Sequence, residues 1–170
     1  KELDTGIEMS KYTNASYDFK TEEPMYYLEF DLVAAEATSS HYFQCGPDNT
    51  SVDPSARVYD ESLTLGVAHN CESDTGLYFE FSFVGNEART YTNDECFMNF
   101  MVSTGIYYTS YTMSYQPKVM TIEITRIDEE DGGIIKGTFD GILYYSQNEN
   151  ISARVENGSF VLKHDYNLSW

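Results

Sequence analysis

The chain has 170 residues, with 28 acidic side chains against 10 basic ones and a formal net charge of -18. That length suits one domain. Hydrophobic residues make up 41%, enough for a core, and no run approaches the roughly 18 apolar residues of a membrane span. The acidity argues against nucleic acid as a partner, and an aromatic content of 15%, led by fifteen Tyr and ten Phe, argues against a disordered chain.

The first segment, Lys1–Glu23, is polar and is expected to be partly loose, so that residues 24–170 form a single all-β domain. It opens K-E-L-D-T-G, with neither an initiator Met nor an apolar leader, and reads as a mature or trimmed chain. From Met25 onward the dominant period is two, the signature of a half-buried strand. In Met25–Val33, Tyr26, Leu28, Phe30 and Leu32 share a face while Glu29 and Asp31 point away. In Ser62–His69, Leu63, Leu65 and Val67 alternate with Thr64, Gly66 and Ala68. In Leu77–Val84, Leu77, Phe79, Phe81 and Phe83 alternate with Tyr78, Glu80 and Ser82. Glu95–Val102 has Phe97, Phe100 and Met101 at helical spacing but reads better as an aromatic strand. Lys118–Ile127 sets Met120, Ile122 and Ile124 against Thr121, Glu123 and Thr125.

Turn chemistry separates these runs. Gly46-Pro47-Asp48-Asn49 and Ser73-Asp74-Thr75-Gly76 are turn clusters, and Asp128 to Gly133 reads as a hairpin loop. Gln147 to Asn150 reads as another, and Asn157-Gly158 marks a tight turn or bulge. Gly137 and Gly141 flank Phe139 on one face, so the strand can coil while Phe139 plugs the core. The count of segments predicts an antiparallel β-sandwich of about eight to ten strands, with a closed lipocalin-like barrel as the alternative.

Candidate chemistry is sparse. The histidines are His41, His69 and His164, and none sits in a nucleophile motif such as G-x-S-x-G. His69 and Cys71 share a strand-end face, but no third partner is signalled for a thiol nucleophile or a metal site. Catalytic residues and cofactors are therefore expected to be absent, and the protein is not expected to be an enzyme. Glu29, Asp31 and Glu80 read as solvating residues. Asp128, Glu129, Glu130 and Asp131 form the densest acidic run, a candidate for Ca²⁺ without EF-hand spacing. Tyr107, Tyr111 and Tyr115 on one face of a strand, with Tyr108 on the other, form a candidate ligand surface, since rows of Tyr stack on sugar rings.

Cys45, Cys71 and Cys96 include no C-x-x-C pair. If the chain meanders up and down through 41–45, 62–71, 76–84 and 96–103, parity brings Cys45 to Cys96 and leaves Cys71 alone. Such a disulfide closes a loop of about fifty residues, worth roughly 4 kcal/mol in the chain-entropy model. Five N-x-S/T sequons, at Asn14, Asn49, Asn150, Asn157 and Asn167, mark glycan acceptors in a eukaryotic secreted protein, although abundant Ser and Thr raise their chance count.

The C-terminal third carries a motif. It runs V-M-T-I-E-I-T-R-I-D over 119–128, G-I-I-K-G-T-F-D-G-I-L-Y over 133–144 and V-E-N-G-S-F over 155–160. This resembles a group of uncharacterised surface lipoproteins of gut Bacteroidetes, in which I-T-x-x-D leads to G-x-x-x-G-T-F-x-G-x-L-Y and then to N-G-x-F. The resemblance covers roughly the last fifty residues. It implies a β-sandwich-like domain outside the cell, on the surface or secreted, with a lipid anchor upstream of Lys1. It carries no activity. The combined expectation is an extracytoplasmic, non-enzymatic binding or adhesion domain, with carbohydrate or another surface protein as partner. The alternative is a β-barrel that holds a small apolar ligand.

Overall fold

The computed structural model describes residues 26–34, 37–43, 54–60, 63–69, 78–102, 106–110 and 116–166. They form eleven strands: β1 Tyr27–Ala34, β2 Ala37–Phe43, β3 Ser55–Asp60, β4 Leu63–His69, β5 Tyr78–Phe83, β6 Thr90–Thr92, β7 Cys96–Val102, β8 Ile106–Thr109, β9 Met120–Ile127, β10 Ile134–Tyr145 and β11 Asn148–His164. The fold is all-β. Among the described residues, no helix is long and apolar enough to cross a membrane.

The strands pair as β2-β1-β11-β10-β9-β6 on one side and β3-β4-β5-β7-β8 on the other. Two long strands join these layers. The end of β10 passes from β9 to β8, where Tyr144 faces Thr109. The end of β11 passes from β1 to β3, where Lys163 faces Ser55. Hydrogen bonding therefore runs unbroken through β11, β3, β4, β5, β7, β8 and β10 back to β11. The eleven strands are thus one sheet that closes on itself where β10 pairs with β11. The β11–β3 pairing is parallel, which corrects the expectation of a wholly antiparallel sheet.

Phenylalanine fills the space between the layers. Phe30, Phe139 and Phe160 from the first layer meet Phe79, Phe81 and Phe100 from the second. Phe81–Phe160 centroids lie 4.7 Å apart, Phe30–Phe79 4.8 Å and Phe79–Phe139 5.2 Å. Such tilted and edge contacts are favoured over flat sandwiches. The expected inward faces of β1 (Leu28, Phe30, Leu32) and β5 (Phe79, Phe81, Phe83) are the buried ones.

Strand β4 behaves differently from its hydrophobic pattern. Cross-strand partners share a face, and Thr64, Gly66 and Ala68 stand opposite Phe83, Phe81 and Phe79. The small residues thus face the core, and Leu65 and Val67 face the other way. They are nonetheless buried, so both faces of β4 are covered. The inversion has a steric reason. A Cβ on Gly66 would lie 2.4 Å from Cζ of Phe81 and 2.9 Å from Cδ1 of Leu162, so the Phe81 ring occupies the volume that a side chain would need.

The glycine-rich C-terminal block is architectural, as its pattern predicts. Gly137, Phe139 and Gly141 all face inward on β10. A Cβ on Gly137 would lie 2.2 Å from the Glu123 carbonyl, so β9 packs against bare backbone there. Asn157 and Gly158 form a bulge inside β11, not a turn. Asn157 has φ 55°, and the register of β11 slips by one residue against both β1 and β10 at this point. Asp128 to Gly133 is the hairpin loop between β9 and β10. His164 pins it: Nδ1 lies 3.2 Å from the Glu130 carbonyl, and Nε2 accepts from the Val58 N–H at 3.2 Å.

The expected Cys45–Cys96 disulfide is not formed. Cys96 is a free, buried thiol, pushed up to about 12 by that burial and by the neighbouring Glu95. Strands β2, β4, β5 and β7 do not form the single meander that this pairing requires. Instead β2 pairs with β1 in the other layer, and β3 intervenes before β4. Cys45 and Cys71 lie outside the described residues.

Candidate functional site at the β11 bulge

The outward face of the first layer carries a polar row across three strands. Asp31 on β1 stands opposite Ser40 on β2 and Glu156 on β11. The bulge at Asn157 lifts one side chain out of the ladder beside them. Ser40 Oγ donates to Asp31 Oδ1 at 2.6 Å, and Asn157 Nδ2 donates to Asp31 Oδ2 at 2.8 Å. One register step away, Ser159 Oγ donates to Glu29 Oε1 at 3.2 Å. Arg154 Nη2 meets Glu156 Oε1 at 3.0 Å. Together Glu29, Asp31, Ser40, Tyr42 and Asn157, with Phe30 and His41 on the same two strands, line a pocket of about 170 Å³.

Tyr42 lines this pocket but is nearly buried, at 6% exposure. Tyr27 and Tyr42 stack with centroids 6.2 Å apart and planes 15° from parallel. Burial, reinforced by the Glu29 charge and by Tyr27, pushes the Tyr42 hydroxyl up to about 12. It therefore stays protonated and able to donate. His41 is anchored on the opposite, inward face of β2. It stacks on Phe30 at 5.0 Å and meets Phe100 at 4.9 Å. Its Nε2 lies 2.9 Å from Ser39 Oγ, while Nδ1 is buried without a hydrogen-bond partner. Burial, only partly offset by the Asp31 charge, holds this imidazole down at about 4.

No family model, curated protein or solved structure matches this chain.

The residues singled out in the sequence are dispersed. Tyr108 is buried at 1% exposure and packs on Tyr145 with centroids 5.8 Å apart, so it is a core residue. Tyr107 contributes main chain to β8, opposite Met101. Tyr111 and Tyr115 lie outside the described residues. The acidic run does not converge on one point. Asp128 faces Arg126, with contacts of 2.9 and 2.5 Å, and that guanidinium holds its carboxyl below the usual range. Glu129 accepts from Asn86 at 2.9 Å, and Asp131 accepts from the Tyr166 N–H at 3.3 Å. Glu130 lends its carbonyl to Gly133. Among the described residues, no group of three or more His, Cys, Asp and Glu can hold a metal ion.

Glu29, Asp31 and Glu80 are half-buried and hydrogen-bonded, which corrects their reading as merely solvating residues. Glu80 accepts from Tyr78, and from Asn99 Nδ2 at 2.5 Å. The alternation of β1 does place Glu29 and Asp31 outward, and Asn157-Gly158 does signal a bulge. Nothing local signals that Asp31 and Asn157, 126 residues apart, meet.

Proposed function

We propose that the protein is a non-enzymatic extracytoplasmic binding domain that takes carbohydrate at the pocket beside the β11 bulge. The carrying observation is the alternation of donors and acceptors around Asp31. Each sugar hydroxyl both donates and accepts, and the acceptors Asp31 and Glu29 stand beside the donors Ser40 and Asn157 around one small depression. The net charge of -18 disfavours an anionic ligand.

The non-enzymatic reading rests on the positions of the reactive groups. His41, Cys96 and His164 are all buried, and His164 has both ring nitrogens engaged. The surface location, with a lipid anchor upstream of Lys1, rests on the lipoprotein-like C-terminal motif. Carriage of a small apolar molecule has less support, because the Phe rings of the two layers already touch across the interior.

A glycan array probed with the full chain, repeated with Asp31→Ala, tests this reading. Binding to a defined set of neutral glycans that falls at least tenfold in the variant is the expected result. Retention of every signal in Asp31→Ala, with its thermal midpoint unchanged, contradicts the site.

A further inference from the structure

We infer that the binding surface is a furrow crossing the strands, built for a linear oligosaccharide and not for a single sugar. This deepens the carbohydrate reading and rests on it. A second depression, of about 450 Å³, lies on the other side of the bulge, lined by Val119, Asp140, Ile142, Arg154, Glu156 and Asn157. Asn157 lines both. The two open on the same side of the layer, because Asp31 stands opposite Glu156, and Arg154 stands opposite both Val33 and Ile142. The furrow therefore runs over β2, β1, β11 and β10 and ends at Val119, just before β9. At a strand spacing near 4.8 Å that is about 14 Å from β2 to β10 and about 19 Å to Val119.

Size and chemistry both favour a chain. The first pocket, at about 170 Å³, falls short of the roughly 300 Å³ at which small-molecule pockets begin, and the second exceeds it. The two halves offer different surfaces. The first is rich in hydroxyl and carboxylate groups. The second sets apolar surface from Val119, 45% exposed, and Ile142 beside the Arg154–Glu156 ion pair. A sugar chain presents both kinds of surface, with hydroxyl edges and C–H faces. The bulge makes the continuity possible. The positive φ at Asn157 holds its carboxamide against Asp31 at the junction of the two depressions.

The test is isothermal titration calorimetry of the full chain with manno-, xylo- and cello-oligosaccharides, from the monosaccharide to the hexasaccharide. At least one series is expected to gain tenfold or more in affinity with length. Val119→Glu, at the far end, is expected to erase most of that gain, and Asp31→Ala to weaken short and long ligands alike. Affinity that depends on Asp31 but not on length or on Val119 overturns the furrow and leaves the pocket standing. Failure of every series to bind, or binding indifferent to Asp31, overturns both. Thermal midpoints of the variants separate lost contacts from lost folding.

Discussion

A single missing methyl group decides how close two strands approach at Gly137. The Glu123 carbonyl sits where a Cβ would be, and the Phe160 ring closes the other side at 2.9 Å. Gly137→Ala forces β9 and β10 apart, since backbone cannot yield as a side-chain tip can. A loss of about 2–3 kcal/mol in urea unfolding is expected, within the overpacking range. Gly132, at φ +81° with open space around it, meets no such clash; Gly132→Ala is expected to cost only the left-handed conformation, about 1 kcal/mol. Equal losses at the two positions contradict the packing argument. Cys96 gives a chemical check at the same scale. A buried thiol pushed up to about 12 holds almost no thiolate at neutral pH. Its tryptic peptide is expected to escape iodoacetamide in the native protein and to be alkylated in denaturant, as read by mass spectrometry.

At the scale of elements, strand β2 carries a pH dependence. The His41 imidazole is held at about 4 in the fold against 6.5 when exposed, so the unfolded chain binds the extra proton first. The stability that this site contributes is complete above about pH 6.5 and drains away as pH falls towards 4. The full difference is about 3 kcal/mol at ~1.36 kcal/mol per pKa unit. His41→Phe keeps a ring against Phe30 and Phe100 but removes the proton site. Its urea midpoint is expected to fall less than that of the parent between pH 7.5 and 4.5, and parallel declines contradict the assignment. Strand β11 makes a second prediction. Its inside-out pattern depends on one bulged residue, so Asn157→Gly is tolerated, whereas deletion of Asn157 flips one half of the strand and prevents folding.

These elements also show what the sequence reveals. Strands β1 and β5 are legible because large apolar residues alternate strictly with polar ones, and that pattern has one solution. Strand β4 is not, because its larger residues face away from the core to make room for Phe79, Phe81 and Phe83. The glycines of β10 are legible as architecture from their spacing around Phe139. The site is not, because Ser40, Asp31 and Asn157 meet only through tertiary pairing of β2, β1 and β11. The Cys45–Cys96 expectation failed for the same reason. It assumed that neighbours in sequence are neighbours in the sheet, and β2 lies in the other layer.

Across the whole molecule, β10 and β11 each serve both layers, so every path around the barrel-like ring passes through them. The interior they close is filled with aromatic rings, and the proposed carbohydrate site lies on the outer face. That full, shared interior is the claim on which the binding account depends, and aromatic-selective ¹³C nuclear Overhauser spectroscopy tests it most directly. Cross-peaks joining the rings of Phe30 to Phe79 and Phe100, and of Phe160 to Phe81, are expected, and they should persist when an oligosaccharide is bound. Missing interlayer peaks, or ligand protons that contact these rings, would contradict it.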